Sequence, residues 1–459
     1  MRPLLLSDNP AVFHIRLLVW CSLGERPYCS PNPMPKSILV RGARQLLTLR
    51  GPCGPRRWAA LRNLGIIQDG ALLVVDGVIR EIGPTCRIEN LALARDAVEI
   101  DASGAVVMPG FVDCNTHLAA GPARLAGYEM RLAGRSCREI AEAGGGVLGL
   151  ARSIQDLSFR ALEASALRVL DESVRHGTTT IETRSGFGLT TAGEMKMLRV
   201  HSALQKRRAP LPIVSTFLCG RPAPGSDVPR DDQLPSMCSR LLPLVKRRKR
   251  AEFAAVRCAS DGFPSEQARL FLASARKLGF PLRVETDGTA ASSAISLALE
   301  FDATSVDHVP NPTAQDIARL AGSSTIATLT PGRTFHLRTQ KYPPARDMID
   351  QGVAVALATG FNPETSPSEN MQMALALACT AMRMTPAEAI TAATINAAYA
   401  LRRDATVGSL EAGKSANLLV LRVSDYREIP YHFGVNLVDL VMVNGDILVR
   451  RPEVPWPAN

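Results

Sequence analysis

The 459-residue sequence predicts an α/β fold in which a (β/α)8 TIM-like barrel carries a small β-sandwich lobe built from both chain ends. Three observations support this prediction. Short apolar strands alternate with amphipathic helices across residues 108–407, and the eight strands that can be counted there match the strand number of a TIM barrel. Residues 34–107 and 408–459 are instead rich in strands and turns. Each of these two segments contains a hairpin signal between apolar runs, Asp76-Gly77 in the first and Asn444-Gly445 in the second.

The first 33 residues lie outside this pattern. Met34 reads as a natural start because the strand-like segment 37–40 follows it closely. We therefore predict that residues 1–33 are a disordered extension or belong to a wrongly assigned start. The apolar run 17–23 is far shorter than the roughly 20 residues that a membrane-spanning helix needs. It also lacks the small-residue cleavage site of a secretory signal.

Composition and charge narrow the expected partners. Hydrophobic residues make up 46% of the chain, and the ten cysteines form no C-x-x-C motif, which predicts reduced thiols and a cytoplasmic protein. The net charge is +10, but the basic runs 206–208 and 246–250 follow helix-like segments and have no interleaved aromatics. We expect a small anionic substrate or ligand, no nucleic acid and no membrane. A homodimer is kept as the assembly hypothesis.

The segment around residues 106–118 is the strongest candidate for a functional strand. Val106–Val112 reads as one apolar strand, and Asp113, Asn115 and His117 alternate at its carboxyl end. Residues two apart on a strand point to the same face. The pattern therefore predicts that Asn115 and His117 point together into the mouth of the barrel, where TIM barrels have their active sites.

This strand, with its Pro-Gly-Phe-Val-Asp motif and the following Thr116-His117, resembles the first barrel strand of the amidohydrolases. Longer stretches resemble the imidazolonepropionase family within that group, and they lie at 131–134, 139–146, 185–189, 194–200, 342–346, 361–367 and 392–398. The resemblance extends from about Ser37 to Arg450. It implies a barrel of the amidohydrolase type and a Zn or Fe ion that activates water. The implied reaction is the hydrolysis of 4-imidazolone-5-propanoate to N-formimidoyl-glutamate in histidine degradation.

The metal-ligand positions implied by the resemblance are largely substituted. The family pattern has two histidines on strand one, a histidine on strand five and an aspartate on strand eight. This sequence has Asn115 and His117, then Glu285, then Gly360 at those positions. Gly288 stands where a glutamate or glutamine is usual. His117 and Glu285 remain as the candidate metal ligands, and a zinc site needs about three or four converging ligands.

Other site positions are partly retained. By resemblance, Arg124 would clamp the substrate carboxylate, His308 would be the catalytic histidine of strand six, and Asn362 and Thr365 would contact substrate. Alternatives remain for these residues. His117 and His308 could be structural histidines, the former bonded to Asp113 or water, and Arg124 could pair with Glu285 or Glu364. Four further pocket positions depart from the family pattern, namely Arg184, Phe187, Arg221 and Glu364.

Three functional hypotheses follow. The first is an imidazolonepropionase-like hydrolase that is catalytically impaired or inactive in this chain. The second is a non-catalytic protein that binds a small anion on the same fold. The third is a repurposed metal-dependent C–N hydrolase in which Glu285 joins His117 and His308, because two histidines and one carboxylate form a chemically sensible metal set.

Overall fold

The computed structural model describes residues 37–222, 230–260, 262–287 and 291–451. The predicted extension at 1–33 and Gly288 lie outside these residues. The strands are β1 (Ser37–Leu47), β2 (Ile66–Val75), β3 (Val78–Pro84), β4 (Val98–Asp101), β5 (Val106–Pro109), β6 (Phe111–Asp113), β7 (Thr178–Arg184), β8 (Ile213–Cys219), β9 (Phe253–Arg257), β10 (Leu282–Glu285), β11 (Ser305–Asp307), β12 (Ile326–Leu329), β13 (Val355–Leu357), β14 (Leu418–Leu421), β15 (Val438–Val443) and β16 (Asp446–Arg450).

Helices follow most of the barrel strands. They are α1 (Thr85–Ile88), α2 (Leu125–Leu132), α3 (Cys137–Glu142), α4 (Gly146–Asp156), α5 (Phe159–Arg175), α6 (Thr191–Arg207), α7 (Arg230–Ser236), α8 (Leu242–Arg247), α9 (Ser265–Lys277), α10 (Ala291–Glu300), α11 (Ala314–Ala321), α12 (Pro331–His336), α13 (Ala345–Asp350), α14 (Met371–Met382), α15 (Pro386–Ala392), α16 (Ile395–Ala400) and α17 (Glu428–Tyr431). Short 3-10 turns occur at Trp58–Arg62 and Ala92–Ala94, and a π-helical turn at Met237–Leu241 precedes α8.

The barrel prediction is confirmed. Strands β6 to β13 form one eight-stranded sheet in sequential order, and each strand pairs with its neighbour in parallel. Just beyond the two end strands, an isolated parallel bridge joins Thr116 to Phe361. The backbone N–H of His117 donates to the carbonyl of Phe361 at 2.7 Å. This link brings the segment after the first barrel strand against the loop after the eighth.

The two-ended β lobe is also confirmed. A second sheet has the order β16-β15-β14-β5-β1-β2-β3, with β4 paired to β1. Strand β14 from the C-terminal end pairs antiparallel with β5 from the N-terminal part, with Leu419 opposite Met108. Buried side chains of β1 and β2 share one hydrophobic cluster with those of β14 and β15, so the two halves of the lobe pack against each other.

The single strand predicted over Val106–Val112 is in fact two strands. Strand β5 belongs to the lobe and β6 begins the barrel, and Gly110 separates them. A Cβ atom on Gly110 would lie 2.1 Å from the side chain of Thr179, so only glycine fits where the chain passes from one sheet to the other. The sequence pattern could not reveal this break because both strands are completely buried and read as one apolar run.

Local signals place the helices well. Helix α5 begins at Phe159, and Ser158 caps it by accepting a hydrogen bond from the backbone N–H of Ala161. The two basic runs lie at the carboxyl ends of α6 and α8, where the negative end of the helix dipole stabilises cations. Within the part of the chain that is described, no helix has the length and apolar character to cross a membrane.

Candidate functional site

A narrow pocket opens at the carboxyl ends of the barrel strands. Its lining consists of Asn115, His117, Val147, Gly186, Phe187, Leu218, Arg221, Arg257, Glu285, His308, Arg333, Gly360, Asn362, Glu364 and Thr365. Five of the predicted site residues therefore reach one pocket, namely His117, Glu285, His308, Asn362 and Thr365. Arg124 is not among the lining residues.

His117 is a buried residue in the lining of this pocket. Its Nδ1 atom is 3.1 Å from the backbone carbonyl of Arg184, and its ring packs at 4.3 Å from the ring of Phe187. Burial lowers the pKa of His117 to about 3. The predicted alternative partner, Asp113, instead binds the backbone N–H and hydroxyl of Thr359.

A cluster of buried charges lies directly beneath the pocket. It comes from three barrel strands, each of which contributes two polar side chains at positions two apart. These are Glu182 and Arg184 on β7, Arg283 and Glu285 on β10, and Ser305 and Asp307 on β11. Side chains two apart share a face of a strand, and this face is the interior of the barrel. TIM-barrel interiors are usually filled by branched apolar residues, so a charged layer here is unusual.

Arg184 is the centre of this buried charge cluster. Its Nη1 atom lies 2.5 Å from Oε1 of Glu285 and 2.9 Å from Oδ2 of Asp307, and its Nε atom lies 3.1 Å from Oε1 of Glu182. Its side chain is 0% exposed. The guanidinium group therefore occupies the space among three carboxylates at the ends of strands two, five and six.

The second arginine of the cluster completes the charge balance. Arg283 is fully buried and donates from Nη2 to Oδ1 of Asp307 at 3.3 Å and from Nε to the hydroxyl of Ser305 at 2.9 Å. At the pocket edge, Nη1 of Arg257 lies 3.6 Å from Oε2 of Glu285. Three arginines thus face three carboxylates, which meets the requirement that buried charges be paired.

The pKa shifts follow from this pairing. Burial alone would raise the pKa of Glu285, but the guanidinium of Arg184 and other nearby cationic groups hold that pKa well below its usual range. The pKa of Asp307 is lowered in the same way, against the effect of burial, by Arg283 and Arg184. Burial would lower the pKa of Arg184, but its three carboxylate partners raise it well above normal. Arg184, Glu285 and Asp307 are therefore charged at neutral pH.

Asn115 and Gly360 contribute differently from what the family pattern implies. The Asn115 side chain donates from Nδ2 to Oδ2 of Asp307 at 3.3 Å, so it joins the buried charge cluster. Gly360 has a left-handed φ of 64°, and a Cβ there would lie 3.0 Å from the side chain of Thr330. An aspartate at this position would therefore be crowded.

His308 is held by the loop that follows strand seven. Its Nδ1 atom lies 2.7 Å from the hydroxyl of Thr330, and burial together with the nearby Arg333 lowers its pKa to about 3. The backbone of His308 has a φ of 77°, a conformation that non-glycine residues adopt rarely and that often marks functional sites. The histidine is neutral at pH 7 and lines the pocket.

Asn362 and Thr365 shape the loop after strand eight. The Asn362 side chain accepts hydrogen bonds from the backbone N–H groups of Glu364 and Thr365 and donates to the hydroxyl of Thr365. This turn fixes the position of Glu364 between the two residues. Its carboxylate lies 2.9 Å from Nη2 of Arg131 and 4.0 Å from Nε of Arg124. Of the alternatives for Arg124, the contact with Glu364 is the one that the structure contains.

Sequence reasoning overlooked Glu182, Arg283 and Asp307. The signal that could have found them is the repeated spacing of two between polar residues in otherwise apolar barrel strands, as in Glu182-Thr-Arg184 and Arg283-Val-Glu285. Such spacing places both side chains on the same face. Buried charges that face a barrel interior require partners from other strands.

Comparison with known proteins identifies the family. Over 89% of this chain and 97% of the relative, the sequence is 41% identical to the imidazolonepropionase of Solibacter usitatus (strain Ellin6076). The imidazolonepropionase of Alkaliphilus metalliredigens (strain QYMF) is 36% identical over 91% of this chain and 99% of its own length. The chain belongs to the imidazolonepropionase family. The broader amidohydrolase family profile matches residues 265–448.

Solved structures agree with an amidohydrolase fold. An adenosine deaminase from Xanthomonas campestris with bound zinc superposes with a TM-score of 0.65 and 16% identity, covering 91% of this chain and 94% of that one. Guanine deaminase from E. coli gives a TM-score of 0.66 and 17% identity over 91% of this chain and 99% of its own. At such low identities the likeness concerns the fold alone.

The imidazolonepropionase family suggests a catalytic metal, but the side chains that the structure describes do not fit one. Among the described residues, no group of three or more histidine, cysteine, aspartate or glutamate side chains is arranged to hold a metal ion. Glu285, a candidate ligand, has one oxygen on Arg184 and the other near Arg257. A cation placed beside Glu285 would also meet the guanidinium of Arg184, and like charges repel strongly in a buried site.

Proposed function

We propose that this member of the imidazolonepropionase family does not hydrolyse 4-imidazolone-5-propanoate, and that its pocket binds a small anionic ligand without turnover. The absence of hydrolysis is inferred from one observation. The guanidinium group of Arg184 lies among the carboxylates of Glu182, Glu285 and Asp307. A catalytic metal lowers the pKa of bound water from about 15.7 toward about 7. An arginine cannot bind water as a Lewis acid, so this source of a nucleophile is missing.

Proton transfer would be hindered as well. The position that carries the strand-eight aspartate in the family pattern is Gly360, which has no side chain. Glu285 is kept ionised by two arginines and is committed to them. The loss of general acid–base assistance alone typically costs about 10²–10⁴ in rate. Both deficits therefore lower the expected rate of hydrolysis.

The charge of the pocket favours an anion. Its lining contains three arginines, Arg221, Arg257 and Arg333, against two glutamates, Glu285 and Glu364. Both histidines of the lining are neutral at pH 7 because burial lowers their pKa values to about 3. A concave site with excess positive charge concentrates anions. Arginine also binds carboxylates through paired hydrogen bonds.

The test uses the purified full chain, with and without added Zn²⁺ or Fe²⁺. We expect no consumption of 4-imidazolone-5-propanoate above background, and saturable binding of the stable analogue imidazole-4-propanoate in calorimetry. Turnover at ordinary enzyme rates, of the order of 1–10³ s⁻¹, would overturn the first half of the proposal. Metal-dependent turnover would instead favour the repurposed hydrolase that uses Glu285. The absence of any binding would overturn the second half.

A further inference from the structure

The group formed by Arg124, Arg131 and Glu364 adjoins the pocket through Glu364, which lines it. Glu364 lines the pocket and is 5% exposed, while the side chains of Arg131 and Arg124 are 11% and 21% exposed. Arg124 directly precedes α2, and Arg131 lies in the last turn of that helix. Their two guanidinium groups therefore share the carboxylate of Glu364, which belongs to the loop after strand eight. The group carries a net positive charge, because two arginines face a single glutamate.

The fit between these three side chains is incomplete. Among the described residues, Oε2 of Glu364 and Nε of Arg131 are buried without a hydrogen-bond partner. The two groups meet through a single close contact, Nη2 to Oε1, where an arginine and a carboxylate would usually form two parallel hydrogen bonds. A buried polar atom without a partner destabilises the folded state. A freely placed carboxylate could satisfy Arg131 better than Glu364 does.

The loop geometry explains the imperfect contact. Glu364 is held in the turn that Asn362 organises through the N–H groups of Glu364 and Thr365, so its backbone cannot approach further. On the other side, Nη1 of Arg131 lies 3.2 Å from Nε2 of His336, and Arg124 reaches the carbonyl of Gly144 at 3.4 Å. Both partners are thus fixed by their surroundings. The contact is the result of these constraints and does not reach the best geometry for an ion pair.

The small size of the pocket also indicates that a ligand carboxylate and the Glu364 carboxylate would compete for the same space. Its volume is about 40 Å³, well below the roughly 300–1,000 Å³ of ordinary small-molecule sites. Glu364 is one of the side chains that fill it. A ligand that carries a carboxylate on this side would have to displace the carboxylate of Glu364 from the arginines.

We infer that Glu364 is a built-in occupant of a carboxylate subsite formed by Arg131 and Arg124, and that it determines which ligands the pocket accepts. This inference rests on the proposed binding function and makes its ligand class narrower. In the unmodified chain, the favoured ligands are small anions that contact the other arginines of the pocket and bring no carboxylate to this side. Removal of the Glu364 charge opens the subsite to carboxylates.

Removal of the Glu364 charge should raise the affinity for a carboxylate ligand strongly, because Glu364 competes with that ligand from within the same chain. A tethered group acts at an effective concentration that is often in the millimolar range. Hydrogen bonds to charged groups contribute roughly 1.5–3 kcal/mol, which corresponds to a factor of about 10–100 in affinity. We therefore expect Glu364→Gln to bind imidazole-4-propanoate at least about tenfold more tightly than the unmodified chain.

Two matched probes separate a carboxylate effect from a general widening of the pocket. Imidazole-4-propanoate and its uncharged carboxamide have nearly the same shape. Glu364→Gln should gain affinity for the acid and change by less than about twofold for the amide. The gain should disappear when Arg131→Met is added. Glu142→Gln is the control, because Glu142 is 62% exposed and pairs with Arg138 on the surface.

Equal affinity of Glu364→Gln and the unmodified chain for the acid would overturn the inference, as would an equal gain for acid and amide. Glu364→Gly serves as a second variant if the glutamine variant does not fold. The result is distinguishable from failure of the proposed function. If the unmodified chain binds neither probe, the proposed binding of a small anion by this chain is overturned. Selective binding of the acid by Glu364→Gln would still support the carboxylate subsite.

Discussion

The Nη1 atom of Arg184 lies 2.5 Å from Oε1 of Glu285, and the two side chains are 0% and 4% exposed. This pair joins the second barrel strand to the fifth across the interior. Breaking a buried ion pair by removing one partner is strongly destabilising, because the remaining charge is left without compensation.

Replacement of Arg184 by methionine should strongly destabilise the fold. Glu182, Glu285 and Asp307 would lose their common cation in the interior of the barrel. The expected loss in the free energy of unfolding is about 3–5 kcal/mol, measured by urea unfolding. Arg138→Met is the control, since Arg138 is 88% exposed and its pair with Glu142 should contribute only about 0–1 kcal/mol. Similar losses in both variants would contradict the central role of Arg184.

Chelators should leave the thermal stability unchanged. The buried charge cluster is balanced by its own arginines, so the barrel should fold without a bound ion. A ligand that binds only the folded state stabilises it by RT ln(1 + [L]/Kd), and its removal would lower the melting temperature. The test compares melting temperatures before and after dialysis against EDTA, with metal content measured in parallel. A drop of several degrees would reveal an ion that the fold requires.

Stability should depend on pH through several buried groups of opposite effect. Burial lowers the pKa values of His117, His201 and His308 to about 3. Below about pH 6.5 these histidines bind protons in the unfolded chain but stay neutral in the folded chain. Their contribution to the free energy of unfolding is therefore lost as the pH falls. Burial raises the pKa of Asp113 to about 7, so the folded chain keeps this carboxyl group protonated where the unfolded chain has released the proton. The contribution of Asp113 to the free energy of unfolding is therefore lost as the pH rises from about 4 to 7.

The two effects can be separated with Asp113→Asn. Without the opposing carboxyl group, the free energy of unfolding should rise more steeply between pH 5 and pH 7 than in the unmodified chain. Urea unfolding at pH 5, 6 and 7 provides the measurement. Asp350→Asn serves as a control because Asp350 is 59% exposed. Parallel curves for Asp113→Asn and the unmodified chain would show that Asp113 does not take up the proton.

Restoration of the family ligands should fail while Arg184 is present. We expect Asn115→His, Glu285→His and Gly360→Asp together to retain no stoichiometric zinc, because the guanidinium group stays in the same space. Addition of Arg184→Gln, which removes the positive charge from this space, should permit zinc uptake measured by elemental analysis. Arg138→Gln in the same triple background is the control. One zinc per chain in the triple variant would show that Arg184 does not block the site.

The restoration has a second obstacle at Gly360. Its φ of 64° is rarely adopted by residues with a side chain, although aspartate tolerates it better than most. Its Cβ would also press against Thr330, which holds His308. If the four-substitution variant takes up little zinc, Thr330→Ser should improve uptake by removing the methyl group that the new side chain meets.

The sequence predicted most of the fold, because its signals are local. Apolar runs of strand length and hairpin turns such as Asp76-Gly77 depend on near neighbours in the chain. The same patterns predicted that Asn115 and His117 would share a face, and both line the pocket. They failed at Gly110, where two buried strands of different sheets follow each other without a polar residue between them.

The site was decided by the tertiary structure. Arg184 and Glu285 are 101 positions apart, and Arg184 and Asp307 are 123 apart, so no local pattern could pair them. The barrel closure brings the ends of strands two, five and six to one place, and burial then requires that every charge find an opposite one. Arg131 reaches Glu364 only because the loop after strand eight folds back over α2. The spacing of residues in the sequence determines which side chains share a face of a strand, whereas their partners depend on strand order and distance in the folded chain.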